Sequence, residues 1–385
     1  MASPQAPAGA DVAVIGGGVI GLAIAWRAAC AGATVTVVDE RPGGGASWAA
    51  AGMLAPVTEV HYGEEPLLAL ALESARRYPG FVEELEAQTG RSVGYRRCGT
   101  LMVARDPDDK AALDDVHALH RRLGLESQVL RGAECRVLEP SLAPSIRSGV
   151  LVSGDHQIDN RALTEALLAA CRRAGVAFRA QAATSIQCAA DRVAAVVLAD
   201  GEVLGCGAAV LAAGAWSSQI QGLPAEVIPP IRPVKGQLVH LRGRAGEPPL
   251  ASRNIRGLDV YVVSRADGRV VVGATVEEQG FDMQVTAGAV HELLRDAYEL
   301  LPGLTELVFS EAVAGLRPGS PDNAPLLGAA GIDGLIVATG HYRNGVLLTP
   351  VTADAIAELL STGHAPEVIA PFSVDRFVAR VGDPG

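Results

Sequence analysis

At 385 residues the chain is longer than one hydrophobic core usually organises, so two domains are expected. Hydrophobic residues make up 49% and charged residues 19%, the balance of an ordinary globular enzyme and not of a disordered chain. A net charge of -11, from 43 acids against 32 bases with no basic run, argues against nucleic acid or an anionic membrane as partner.

Residues 1–9 hold Pro, Ala and Ser without a basic stretch leading into an apolar one, and read as a flexible tail. Asp11 to Gly16 is a short apolar run closed by glycine, the pattern of a buried parallel strand. Gly18 to Gly32 follows as a helix and Thr34 to Asp39 as a second buried strand, together one βαβ unit. Residues 43–53, mostly small and aperiodic, read as a loop passing close to a ligand. Helical periodicity returns over 65–90, with a break expected near Pro79, and over 108–123. A helix is expected from Arg161 to Gly175, with Asp159 or Asn160 as its N-cap.

From Val176 to Val210 the pattern turns to short strands, with Asp200-Gly201 as a hairpin turn. Strands at 231–242, 260–264 and 269–275, a helix at 286–301, a buried strand at 334–340 and a helix at 346–361 complete the pass. Nucleotide-type units thus stand at both ends and in the middle. The division that follows is a discontinuous cofactor domain, 10–92, 150–228 and 310–370, interrupted by a substrate domain, 93–149 and 229–309.

Gly16-x-Gly18-x-x-Gly21 ends a strand and opens a helix. Gly16 permits the tight turn, Gly18 lets the backbone approach a pyrophosphate, and Gly21 allows close helix–sheet packing. The free N–H groups and positive dipole end of that helix suit a pyrophosphate. Asp39 closes the second strand where an acid can hydrogen-bond the adenosine ribose. This context indicates a dinucleotide, and the acid disfavours NADP, whose phosphate it would repel; FAD and NAD remain open at this point.

Two distant segments favour FAD. Ala208 to Ser217 is an apolar strand running into a turn at Gly214, and Gly340-His-Tyr-Arg-Asn-Gly345 joins a strand to a helix. A flavin is long enough to need protein groups at both ends. A second helix N-terminus would stabilise the negative charge that gathers on its ring on reduction.

Val14-Ile-Gly-Gly-Gly-Val-Ile-Gly21, Ala49-Ala-Ala-Gly-Met-Leu54, Pro233-Val-Lys-Gly236, Val271-Val-Gly-Ala-Thr275, Gly315-Leu-Arg-Pro318 and His341-Tyr-Arg-Asn-Gly-Val-Leu-Leu348 resemble the D-amino-acid-oxidase family of flavoproteins. Within it they are most similar to the glycine-oxidase branch of thiamine biosynthesis. The likeness runs over about residues 11–365; its first motif is common to many flavoproteins, whereas the last two together are far more specific.

The resemblance implies an α/β two-domain flavoprotein, a Rossmann-like FAD-binding domain beside a substrate domain built on an antiparallel sheet. It implies FAD contacts from Val19 and Ile20, from Asp39 and Glu40, from Ala46 and Ser47, and from Ala51, Gly52 and Met53. Ala183 falls near the adenine, and His341, Tyr342, Arg343, Asn344, Gly345, Val346 and Leu347 form a loop around the flavin. The fingerprint glycines Gly16, Gly18 and Gly21 and the turn at Gly214 are further cofactor candidates. Arg317 matches the arginine that grips the substrate carboxylate, Arg343 lies in the same pocket, and Tyr261 lines it. Arginine suits that task because its planar fork pairs a carboxylate through two hydrogen bonds. Relatives with covalent flavin use a cysteine near the Gly315 segment; none follows Cys206 here, so non-covalent FAD is implied.

The activity implied is oxidative deamination of glycine, with sarcosine or small D-amino acids as further substrates, to the imino acid or to glyoxylate and ammonia. Oxygen would be reduced to hydrogen peroxide. A homo-oligomer and a hand-over of the imine to thiazole synthase are implied as well. The alternative is an amino-acid or N-methylamino-acid dehydrogenase that uses an acceptor other than oxygen. No side chain is expected to act as catalytic base, because hydride transfer needs an unprotonated amine and alignment. His341 is therefore read as a structural member of the flavin loop. Where some glycine oxidases carry His and Met near the pocket, this chain has Asp259 and Val276, which leaves side-chain preference open.

The six cysteines show no C-x-x-C pair and read as scattered, mostly buried, reduced thiols of a cytoplasmic protein. The histidines share no spacing that suggests a metal site.

Overall fold

The computed structural model describes residues 10–244 and 246–380, so the tail expected at 1–9 lies outside the described residues. The opening apolar run forms strand Ala10–Ile15, and a glycine turn hands the chain to helix Val19–Cys30 and strand Val35–Val38. Both strands are buried on two faces, which is why their apolar runs are continuous and not alternating. They stand inside a sheet ordered Leu326–Ala329, Leu335–Thr339, Val203–Leu211, Ala10–Ile15, Val35–Val38 and Ala177–Arg179. The inner pairings are parallel, so the turns at Gly16, Gly214 and Gly340 gather at one carboxyl edge. Ligands bind at that edge in sheets of this kind.

Helices Val19–Cys30, Glu65–Thr89, Asn160–Arg173 and Thr349–Thr362 pack on one another over this sheet, around Trp26, Leu70, Tyr78, Leu85 and Ile356. Asp159 caps its helix, accepting the Arg161 and Ala162 amides. Two expectations are corrected. Helix Glu65–Thr89 runs unbroken through Pro79, because its apolar face stays in phase from Leu67 to Leu85 and packing outweighs one missing hydrogen bond. The segment 43–53 is not a plain loop: it holds the short helix Gly45–Ala49 and strand Met53–Leu54, which pairs with His156–Gln157.

The second sheet is ordered Val308–Gly319, Arg232–Arg242, Arg269–Gly273, Tyr261–Ser264, Asn254–Arg256, Thr100–Ala104, Ser148–Val152 and Gln128–Arg131. It is antiparallel except where Asn254–Arg256 runs parallel to Thr100–Ala104. Leu101, Val239, Ile255, Val262 and Val272 pack from it against Leu293 and Leu300 of helix Ala287–Leu300. Strand Val308–Gly319 pairs along its length with Arg232–Arg242, and Ser148–Val152 pairs with Thr100–Ala104. Residues 310–319 and 150–152 thus join the second sheet, although the sequence reading groups them with the cofactor domain. A strand's sheet is set by a partner distant in sequence, which apolar patterning does not reveal.

The six cysteines are unpaired; only Cys135 and Cys171 are buried, and Cys30 and Cys188 are exposed, which corrects the expectation of mostly buried thiols. Among the described residues no helix is long and apolar enough to cross a membrane, and no group of His, Cys, Asp and Glu could hold a metal ion.

Candidate active site

A cavity of about 1230 Å³ runs from the carboxyl edge of the first sheet to the face of the second. At its first end Gly16 adopts φ 107°, and a side chain there would overlap the Ala212 carbonyl. A side chain at Gly21 would overlap the Gly16 carbonyl, so this glycine lets helix Val19–Cys30 start directly against the turn. The N-cap, Gly18, has no side chain to offer, and Ser47 Oγ accepts the Val19 amide at 3.0 Å instead. Asp39 accepts the Gly17 amide through Oδ2 and the Arg41 amide through Oδ1, each at 2.7 Å. Each carboxylate oxygen keeps a lone pair for a ribose hydroxyl.

The middle of the cavity is walled by 46–53, and a buried arginine fixes that wall from behind. Arg265 donates to the carbonyls of Ala51 at 2.6 Å and Ile158 at 2.7 Å, and to Gln157 Oε1 at 2.9 Å. Burial lowers its pKa to about 10, so it remains a cation.

The loop 341–347 closes the same cavity. His341 is buried, lies 3.1 Å from Thr352 Oγ1 through Nε2, and is pushed by burial down to about 3. It is therefore neutral at ordinary pH and structural. Tyr342 adopts φ 46°, a conformation that non-glycine residues rarely hold except at sites the surroundings over-determine. Among the described residues the amides of Gly345, Val346 and Leu347 donate to no protein acceptor, and they stand one turn before helix Thr349–Thr362. Free donors at a positive helix end suit an electron-rich ring edge.

At the far end Tyr261 pairs across strands with Gly273 on one side and Arg256 on the other. Any side chain at Gly273 would strike the Tyr261 ring, and one at Gly236 would strike the Arg317 guanidinium. These two glycines give both groups room to lie against the sheet. Arg317 Nη1 donates to the carbonyls of Thr275 at 3.0 Å and Lys235 at 3.3 Å. Among the described residues no carboxylate lies within 4.0 Å of its guanidinium. Burial raises the Tyr261 phenol, with Arg317 and Arg256 pulling it back, as expected for a hydroxyl set between two cations.

Every residue singled out from sequence lines this cavity except Gly21, which is packed under the turn. Arg343 lines it with its charge engaged: Nε stands 3.1 Å from Glu59 and Nη2 3.3 Å from Glu64. Sequence reasoning missed Glu59, His61 and Arg256, which line the cavity, and Arg265 behind it. No motif marks them. Arg265 borders the Ala266-Asp-Gly268 turn, where an arginine reads as solvated surface, and strand Asn254–Arg256 is too short to leave a pattern.

The family model described as DAO, FAD dependent oxidoreductase, matches residues 11–359. The chain belongs to this family. FAD is accordingly its cofactor, and the chain is an FAD-dependent oxidoreductase. It is 33% identical to a glycine oxidase of Geobacillus kaustophilus, over 97% of this chain and 98% of that protein. The crystal structure of glycine oxidase from that organism superposes with a TM-score of 0.88 at 33% identity, covering 95% of this chain and 98% of the other. A bifunctional ThiO/ThiG protein of Synechocystis sp. is 37% identical over 97% of this chain, which spans 55% of its length. The residues present fit the FAD of this family: a glycine turn that tolerates no side chain, an acid at the ribose position, and unpaired amides at the ring end.

Proposed function

We propose that this oxidoreductase oxidises glycine, and with it sarcosine or small D-amino acids, to the imino acid. The observation that carries the reading is Arg317, a half-buried cation on the cavity wall with no carboxylate partner among the described residues. A cation in that setting needs an anion, and an amino-acid carboxylate supplies one. The family and the glycine oxidases it resembles support the same substrate class.

In this reading Arg317 binds the carboxylate and Tyr261 packs against the substrate, while the strand around Gly236 and Gly273 fixes both. The residues at 16–21, 39–40, 46–53, 183, 214 and 341–347 would hold FAD. FAD, when bound, accepts a hydride and passes the electrons to oxygen, giving hydrogen peroxide. No cysteine lines the cavity among the described residues, which supports FAD held without a covalent bond. The first sheet and its helices serve as the cofactor half, and the second sheet as the substrate half. Unpaired cysteines agree with a reducing, cytoplasmic setting. A homo-oligomer, and delivery of the imine to a thiazole-forming partner, complete the proposal; the joining of a ThiO to a ThiG in relatives favours such a hand-over.

An anaerobic visible spectrum of the purified protein tests the reading. Glycine should bleach the flavin, and air should restore it with release of peroxide. Failure of glycine, sarcosine, proline and D-alanine alike to bleach it refutes the substrate class, and turnover only with an artificial acceptor replaces oxidase by dehydrogenase.

A further inference from the structure

The cavity wall carries more charge than one substrate carboxylate explains. Arg317, Arg256 and Arg343 all line it, as does Glu59. Glu59 ion-pairs with both Arg256 and Arg343, and Glu64 pairs with Arg343. The four side chains of this cluster are only 15–24% exposed. His61, beside them, is held below its ordinary pKa by burial and by Arg343, so it adds no charge at neutral pH. Within this cluster Arg256 and Arg343 are each paired with a carboxylate, whereas Arg317 has none within 4.0 Å among the described residues.

The segment bearing these acids is anchored. Asp155, fully buried, accepts the Val57 amide at 3.1 Å and the Thr58 amide and hydroxyl at 2.7 Å each. His120, also buried, lies 3.1 Å from the Val57 carbonyl. The clamp ends one residue before Glu59, so the placement of that carboxylate is built into the fold.

We propose that Glu59 is a specificity-determining residue: by neutralising Arg256 it matches the pocket to substrates with one carboxylate and turns away those with two. This rests on the reading of the cavity as an amino-acid site. Arg256 stands next to Tyr261 on the adjacent strand. The second carboxylate of an N-carboxymethyl amino acid such as iminodiacetate, held at Arg317, would reach a cation already paired and meet the charge of Glu59. Without Glu59, Arg256 becomes a second anion-binding group.

The test compares wild-type holoenzyme with Glu59→Gln and with Glu59→Gln/Arg256→Met. Calorimetry reads binding of acetate and of malonate, and steady-state oxidation reads glycine and iminodiacetate. Glu59→Gln should raise the iminodiacetate-to-glycine ratio of kcat/KM, and the malonate-to-acetate ratio of affinity, by about tenfold or more. Adding Arg256→Met should abolish both gains. Ratios within about twofold of wild type in both assays overturn the inference, and so does a gain that survives loss of Arg256. Arg256→Met alone is an independent check: it leaves Glu59 and Glu64 to share Arg343, a surplus negative charge beside the pocket, and should raise KM for glycine while kcat holds, and an unchanged KM overturns the inference. A wild-type protein that oxidises no amino acid overturns the functional reading itself.

Discussion

Replacement of Arg317 by methionine keeps most of the side chain's volume and removes a cavity-wall cation that has no carboxylate partner among the described residues. In wild type its Nη1 is committed to the Thr275 and Lys235 carbonyls, and among the described residues its other guanidinium nitrogens donate to no protein acceptor. Truncating one partner of a desolvated, hydrogen-bonded charge pair costs about 2–5 kcal/mol. At about 1.4 kcal/mol per factor of ten, kcat/KM for glycine should fall about 30-fold to a few thousand-fold. The grip is present before and during hydride transfer, so the loss should fall mainly on KM. Anaerobic rapid mixing separates the two, reading the apparent dissociation constant of glycine against the limiting rate of flavin bleaching. Flavin content should match wild type, because Arg317 lies at the end of the cavity away from the glycine turn. Arg317→Lys should recover part of the loss as a point charge without the fork. A methionine variant whose KM stays within about threefold of wild type refutes the assignment.

Gly21→Ala should give folded but colourless protein, since its new methyl overlaps the Gly16 carbonyl and shifts the turn; circular dichroism with the visible spectrum checks it, and a yellow variant counts against the cradle. Burial pushes Asp155 up to about 6 from 3.8, so its contribution to stability is full below about pH 4 and lost as pH rises through 6, to a total of about 3 kcal/mol. Urea midpoints from pH 4 to 7 should therefore decline less steeply for Asp155→Asn than for wild type; parallel slopes refute this. His341→Gln should weaken FAD retention yet leave the shape of the kcat/KM pH profile unchanged, because a histidine with its pKa near 3 does not titrate in the working range; loss of a limb of that profile would restore it as a base.

The first sheet's opening unit was legible because its signals are local. A glycine triplet between strand and helix and an acid 22 residues beyond a backbone amide it accepts lie within one βαβ unit. The family motifs around Arg317 and His341 carried the remainder. The second sheet was harder. Strands Thr100–Ala104, Gln128–Arg131, Ser148–Val152 and Asn254–Arg256 went unread, because they are short and find partners far along the chain. Arg256 and Glu59 stand 197 positions apart and owe their meaning to a contact that spacing does not encode. The same holds for Arg265, whose partners at Ala51, Gln157 and Ile158 come from two other stretches of sequence.

The buried Arg265 has a consequence for how substrate arrives. It is rooted in the second sheet, just past strand Tyr261–Ser264, yet it donates to the carbonyls of Ala51 and Ile158 outside that sheet. Moving Ala51 and Ile158 away from the second sheet would strip a buried cation of its two backbone carbonyl partners, which is costly. A route that leaves these bonds intact runs past the rim, where Trp216, Leu258, Val276 and Met283 are exposed beside the pocket. Entry by that route needs only side-chain rearrangement, and turnover should then respond to the bulk of these four residues.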